Sequence, residues 1–522
     1  MNLPTADRSD NVAPSTSFAA PDSATRHSPW PPPVAHIGGP GGSARVQFGH
    51  GAQGSSTHPR GQRRWRWLGL VGVVLLIGSF AFTRTRSSPY AAAWDARVTD
   101  LIDFVEQQRG LQFKHPVAFD FMTESEFVAV IADGRQKPPA ERQSVAESIM
   151  RARGYIGQNF SSTSVEEDFL GNVTGFYSHN DKRMRVRGTE LSAYIKLTLV
   201  HELTHALQDQ WYGINSLYAK VSSDEQAFAL QSLIEGDARS IENAYYQSLS
   251  TLDQRSIDQA EHPSDRPNRL SHTPDALQVR DGAPYELGAQ MVDTLRHLGG
   301  IERLNQAFRH PPKGEAAVLF PFAPQDKQPS PPEFTASSGE APVSPEATVD
   351  QRSVGPLSTF LTLSSRLDAT TAWRASSGWG GERIQVVHRQ GNICVDSMIL
   401  GRTIEDSERL YTAYESWASF SVGATVTRLS EAVLVQSCDP KTAAPEPNTG
   451  IFSELFQLTQ TDLTLFQRAE ANGVAVNRAA CAVLHAHQRV DALALDPNDL
   501  RDDQLPSEVV QALEDSIARC KP

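Results

Sequence analysis

Apolar residues return at helical spacing in "AAAWDARVTDLIDFVEQQRG", where Trp94, Val98, Leu101, Ile102 and Val105 fall on one face and predict a helix. "HPVAFDFM" alternates enough to predict a strand, and helical spacing resumes in "PAERQSVAESIMRARGYI". Next, "VTGFYSHNDKRMRVRG" reads as two short strands around a turn at Ser178 to Asp181. An apolar helix follows directly in "LVHELTHALQDQW", so a hairpin leads into a helix. A longer helix runs through "EQAFALQSLIEGDARSIENAYYQSL", with Leu230, Leu233, Ile234, Ala238 and Ile241 in step. Gly236, inside that run, lets another backbone or a substrate come close.

Past Pro312 the pattern breaks. "PFAPQDKQPSPPEFTASSGEAPVSPEATVD" is rich in Pro and Ser and predicts a linker over 321–355. Beyond it "GERIQVVHRQGNICVDSMIL" reads as a hairpin, "IEDSERLYTAYESWASF" as a helix and "EAVLVQSC" as another strand, with a helical end. Trp379 and Arg383 mark the opening turn of this unit, and His388 is a strand residue. The expected fold class is α+β, with a first domain over 89–320 and a small α+β module over 356–522.

The start of the chain has a different character. Residues 1–62 are rich in Pro, Gly and Ser with few large apolar residues, which predicts a disordered tail. Trp67 to Thr83 carry no charge, and a helix of that length is just enough to span a bilayer. Trp65 and Trp67 suit the interfacial belt. Arg60, Arg63, Arg64 and Arg66 precede this run and Arg84 and Arg86 follow it, so the charge bias places the N-terminus in the cytoplasm and the rest outside. A cleaved signal peptide is the alternative, with Ser79 and Ala81 spaced for cleavage, although the long preceding tail favours an anchor.

The four cysteines, Cys394, Cys438, Cys481 and Cys520, all lie in the C-terminal third, which fits disulfides in an exported region. Three pairings are open, of which Cys394 with Cys438 and Cys481 with Cys520 keep each bridge local. The formal net charge of -13 over 522 residues argues against nucleic acid as a partner, because phosphate binding needs a surplus of Lys and Arg.

The chemistry concentrates in "HELTH". On a helix His201 and His205 are one turn apart, so both imidazoles reach one ion, and Glu202 projects about 100 degrees round, where a base stands to take a proton from water. Leu197, Leu199, Val200, Leu203, Ala206 and Leu207 bury this helix, which would make uncoordinated polar groups costly. A third ligand would come from an acidic residue on a second helix, and "IEGDA" supplies Glu235.

"HELTH" with a later "IEGDA" resembles the gluzincin group of zinc metallopeptidases, the thermolysin-like class with two histidines and a downstream glutamate on zinc. In order, "RGLQFKHPV", "GFYSHNDKRMRV", "LVHELTHALQDQW", "SLIEGDA" and "PYELGAQMV" resemble more closely an ill-characterised bacterial group of metallopeptidase-like proteins, over roughly Trp94 to Pro312. The resemblance implies a zincin-like domain in which His201, His205 and Glu235 bind Zn2+, Glu202 is the general base and water takes the fourth position. It implies too that the strand around Met184 to Arg187 is the edge that pairs with an extended peptide. Tyr285, in "PYELG", would stabilise the developing oxyanion or else pack at a helix start.

Two positions complicate the match. Gluzincins often carry an aspartate four residues after the glutamate ligand, to orient a histidine; here Arg239 stands there, with Asp209 or Asp237 as substitutes. Glu225 has the more thermolysin-like spacing from His205, but "SSDEQA" is a helix start where acids complement the dipole, whereas Glu235 lies in an apolar run. Glu235 is therefore the expected ligand. The expected function is a membrane-anchored zinc peptidase acting on peptide or protein substrates. The alternative is a weakly active or inactive zinc-binding scaffold of the cell envelope.

Overall fold

The computed structural model describes residues 89–520 except 135–138, 163–164, 166–172, 262–272, 325–333, 335–347, 491–494 and 496–504. The expected tail over 1–62 and membrane helix over 67–83 lie outside the described residues. Among the described residues, no helix is long and apolar enough to cross a membrane.

The fold is α+β, as the patterning predicts. Helix α1 (Thr99–Arg109) leads to β1 (Ala118–Met122), α2 (Glu124–Gly134) and α3 (Ala140–Ala152), then to the hairpin β2 (Gly175–Ser178) and β3 (Arg183–Arg187). The turn closes with the Lys182 amide donating to the Ser178 carbonyl at 2.8 Å. Helix α4 (Ala193–Tyr212) carries the HELTH residues. It starts where Ser192 Oγ accepts the Ile195 amide and stops at Gly213, whose φ of 64° is left-handed. After α5 (Ile214–Tyr218) comes α6 (Asp224–Ser248), capped by Ser223, whose Oγ accepts the Gln226 amide. Helices α7 (Thr251–Glu261), α8 (Asp275–Arg309) and α9 (Ala316–Leu319) complete this half.

In the first sheet β3 is the centre, paired parallel to β1 (Phe119 opposite Met184) and antiparallel to β2 (Tyr177 opposite Met184). This corrects the expectation that Met184 to Arg187 form an edge. β1 returns to pair with β3, so the edge nearest α4 is β2. Met184 and Val186 face the apolar side of α4 and the inner face of α1 in one core, and Arg183, Arg185 and Arg187 alternate to the other side.

The second half holds α10 (Pro356–Ser364), α11 (Ala369–Ser376), α12 (Ile404–Ser419), α13 (Ile451–Ala471), α14 (Val476–Ala486) and α15 (Ser507–Arg519) around an antiparallel sheet ordered β4-β5-β6-β8-β7. Its strands are β4 (Thr348–Val354), β5 (Trp379–Arg389), β6 (Asn392–Gly401), β7 (Thr425–Arg428) and β8 (Ala432–Cys438). The expected hairpin is β5–β6, and Cys394–Cys438 and Cys481–Cys520 form the two disulfides.

Residues 321–355 are not simply a linker. β4 pairs with β5, and Phe322 is buried with its ring stacked 5.1 Å from Phe466. Nor do the two halves have separate cores. One apolar cluster runs from Leu230, Leu233 and Leu287 through Phe308 and Phe320 to Trp373 and Trp417. Helix α3 lies on the second sheet, Ile149 and Ala152 packing against Ile384 and Val386, with Arg151 clamping Asp439 at 2.8 Å. The linker composition reports local solubility; it carries no information on these long-range contacts.

Candidate metal centre

Helices α4 and α6 pack side by side, and α6 packs along α8. At the second crossing the backbones touch: a Cβ on Gly236 would sit 2.1 Å from the carbonyl carbon of Gly288, and one on Gly288 would sit 2.2 Å from the Ser232 oxygen. Only paired glycines permit this approach. It places α8, and with it Tyr285, beside the HELTH face.

His201, His205 and Glu235 converge. Their ligand atoms all lie within 4.8 Å of one another, and Glu235 Oε2 is 3.4 Å from each of the two Nε2 atoms. All three residues are buried. This group could hold a metal ion. A second grouping, Cys481, His485 and Cys520, has its two sulfurs joined in a disulfide and so offers no thiolate.

Each imidazole is oriented from behind. His201 Nδ1 lies 2.8 Å from Glu242 Oε2, and His205 Nδ1 lies 2.9 Å from Gln208 Oε1. Because a carboxylate only accepts, His201 Nδ1 donates to Glu242, and Nε2 is turned toward Glu235. Burial opposes charge on the His201 ring, yet Glu235 and Glu242 outweigh it and push its pKa up to about 10.

Arg239, where an aspartate might have stood, donates from Nη1 to Glu242 Oε1 at 2.9 Å. Burial resists ionisation of Glu242, but Arg239 and His201 hold its carboxyl below the usual range. The acid that meets His201 is thus Glu242, while Asp237 reaches His205 through Gln208. Glu242 lies seven residues after Glu235, two helical turns on the same face, a spacing that could have revealed it. Asp237 instead accepts from Gln208 Nε2 at 3.0 Å and Arg109 Nε at 2.8 Å. Asp209 accepts from the Tyr177 hydroxyl at 3.0 Å and from Lys182 Nζ at 2.5 Å.

Glu202 is wholly buried, and its Oε2 accepts the Tyr177 backbone amide of β2 at 2.7 Å. Burial pushes its carboxyl up to about 7, against the pull of His205, His201 and that amide. The hairpin before the helix therefore aims the glutamate.

Tyr285 stacks on His201, with ring centroids 5.9 Å apart and planes 25° apart. Burial, and then Glu235 and Glu202, push its phenol well above the ordinary value, so it keeps its proton. Two further residues escaped sequence reading. The phenol of Tyr218 is raised by burial and then by Glu235, and buried His179 sets its ring edge-on to His205 at 6.4 Å.

No family model, curated protein or solved structure matches this chain. What the centre can do is set by its own side chains.

The second half holds another familiar grouping. His487 Nε2 is 2.6 Å from Ser377 Oγ, and His487 Nδ1 is 3.3 Å from Asp462 Oδ2. Ser377 is 2% exposed, and its oxygen is also met by Gln488 Nε2 at 2.9 Å and the Arg374 carbonyl at 3.0 Å. A nucleophile needs an open approach, which this oxygen lacks. The trio instead ties α11, α13 and the end of α14 together.

Proposed function

We propose that this chain is a zinc-dependent peptidase, with His201, His205 and Glu235 as the metal ligands and Glu202 as the general base. The observation that carries the reading is the pair of 3.4 Å separations between Glu235 Oε2 and the two Nε2 atoms. They are longer than charge-assisted hydrogen bonds, about 2.7–2.9 Å. They match the edge of a tetrahedron with ligands roughly 2.0–2.1 Å from its centre, which is zinc's spacing. Two imidazoles and one carboxylate are also the donor set of known hydrolytic zinc sites.

Zinc, when bound, would supply Lewis acidity toward water and the substrate carbonyl. Glu202 takes the proton of the attacking water and returns it to the leaving amine as the peptide C–N bond breaks. The Tyr177 amide holds one oxygen of that carboxylate and so fixes the plane of the other. Tyr285, protonated and against His201, donates to the oxygen on which negative charge develops.

The location we propose is the outer face of a membrane, with residues 67–83 as the anchor. Two disulfides in the C-terminal half support an oxidising compartment. Metal analysis of the purified protein, with a mixed peptide library as substrate, tests the activity. The expected result is one zinc per chain and hydrolysis lost to a chelator and restored by zinc. Absence of zinc, or hydrolysis indifferent to chelation, would overturn the reading.

A further inference from the structure

Resting on that metal reading, we infer that the ion site is set in advance by two arginine-anchored relays, which makes Glu242 and Arg239 positioning residues for His201. The first runs from His201 Nδ1 to Glu242 Oε2 (2.8 Å), from Glu242 Oε1 to Arg239 Nη1 (2.9 Å), and from Arg239 Nη2 to Glu286 Oε1 on α8 (3.0 Å). The second runs from His205 Nδ1 to Gln208 Oε1 (2.9 Å), from Gln208 Nε2 to Asp237 Oδ2 (3.0 Å), and from Asp237 to Arg109 Nε on α1 (2.8 Å). Gln208 Nε2 also donates to the Ile234 carbonyl at 3.0 Å, so its oxygen is the atom turned to His205.

Each relay holds its ring by Nδ1 and so leaves Nε2 as the atom that faces Glu235. An imidazole without such a partner is free to exchange its tautomer or turn its ring, and either removes a ligand. Outer hydrogen-bond partners of this kind commonly account for tenfold to hundredfold in metal affinity. The two relays differ in charge. His201 faces a carboxyl group that is also paired with Arg239 at 2.9 Å, whereas His205 faces a neutral carboxamide, so the first relay contributes more.

Glu242→Gln separates positioning from bulk. A carboxylate offers one oxygen to His201 and the other to Arg239, while an amide has a single oxygen for two donors. Full-length protein, stripped of metal and titrated with zinc against a chromophoric chelator, gives the affinity. We expect Glu242→Gln to weaken zinc roughly tenfold to hundredfold and Gln208→Leu to weaken it less. Arg239→Met should fall between them, with part of the affinity recovered in Arg239→Lys. Cobalt(II) bound to Glu242→Gln should show a shifted visible spectrum, and the metal-free variant should melt near the wild type. A merely structural residue would give the opposite pattern, lower metal-free melting with unchanged affinity. Should Arg239→Met fail to fold, the nearly isosteric Glu242→Gln still decides. Wild-type affinity in Glu242→Gln overturns the relay alone, whereas a wild-type chain that takes up no zinc overturns the metal reading with it.

Discussion

Glu225 and Glu235 lie ten residues apart on helix α6, about 15 Å along its axis, and both are buried in clusters of three carboxylates. Around Glu235 the acids Glu202 and Glu242 are interleaved with His201, His205 and Arg239, so positive or protonatable groups face every carboxylate. Around Glu225 the neighbours are Glu315 and Glu382, with Arg153 reaching Glu382 at 3.3 Å. Glu382 also accepts from Thr359 Oγ1 at 2.8 Å, and Glu315 accepts the Leu357 and Ser358 amides at the start of α10. Burial pushes Glu225 up to about 7 and Glu315 up to about 8, Glu225 further raised by Glu382 and Asp224 and Glu315 by Glu225 and Glu382. Glu235 and Glu242 thus meet nitrogen donors, whereas Glu225 and Glu315 are raised by burial among other acids. Burial does not distinguish the two glutamates; the groups that surround them do.

The sharpest way to break this contrast is to remove one acid from each cluster. Glu235→Ala should lower zinc affinity by more than about hundredfold, beyond the usual effect of losing an outer partner. Glu225→Ala should leave zinc stoichiometry unchanged. Metal analysis after gel filtration of both variants decides, and zinc lost from the Glu225 variant would place the ligand at the other end of the helix.

Within the first cluster, Glu202 differs from Glu235 in touching the Tyr177 amide rather than facing the imidazole Nε2 atoms. Glu202→Gln should therefore retain zinc while peptide hydrolysis falls by about 10²–10⁴ or more, the range for a lost general base. Turnover at the wild-type rate in a zinc-loaded Glu202→Gln enzyme would remove the base from the mechanism.

How far the two clusters could be read from sequence follows from the distance their partners span. The HELTH pair and its apolar flanks are one helix, and Glu235 stands in an apolar run whose periodicity is visible within a dozen residues. Glu242 is legible by its spacing, two turns past Glu235 on the same face, although the familiar aspartate position holds Arg239. Glu225 was not legible. Its partners Glu315 and Glu382 arrive from 90 and 157 residues downstream, the second across a Pro- and Ser-rich stretch that reads as a boundary. The continuity of Leu233 with Phe320 and Trp373, and the docking of α3 on the second sheet, were hidden for the same reason. So was the central place of β3, since no local pattern reports a parallel partner.

The Glu225 cluster should reveal itself through pH. Both Glu225 and Glu315 hold protons more tightly folded, at about 7 and about 8, than unfolded, at roughly 4.3. Their contribution to stability is fully present below the unfolded value and is lost as pH rises through the folded values. Melting temperature should therefore decline between about pH 5 and pH 8. Glu225→Gln should flatten that decline and gain on the order of 1–3 kcal/mol at the upper end, since a tenfold change in proton affinity on folding is worth about 1.4 kcal/mol. Scanning calorimetry across this range provides the check. Identical slopes for wild type and Glu225→Gln would mean that the carboxyl is ionised in the fold.

The smallest effect separates Glu225 from the residues beside it. Sequence reasoning assigns the acids of "SSDEQA" to the helix dipole, which suits Asp224, in the first turn and bridged at 3.1 Å to Arg352, and Ser223, the cap. It does not suit Glu225, which is only 9% exposed. Asp224→Asn keeps the side chain's size and removes only the charge. It should cost about 0.3–1 kcal/mol through the dipole and the partly exposed ion pair, less at high salt. Ser223→Ala should cost about 0.5–2 kcal/mol for the lost cap, with little salt dependence. Neither substitution should alter zinc binding. Denaturation of the two variants in low and high salt checks the assignment. A salt-independent loss in Asp224→Asn larger than that in Ser223→Ala would show that Asp224 belongs with the buried cluster and not with the helix end.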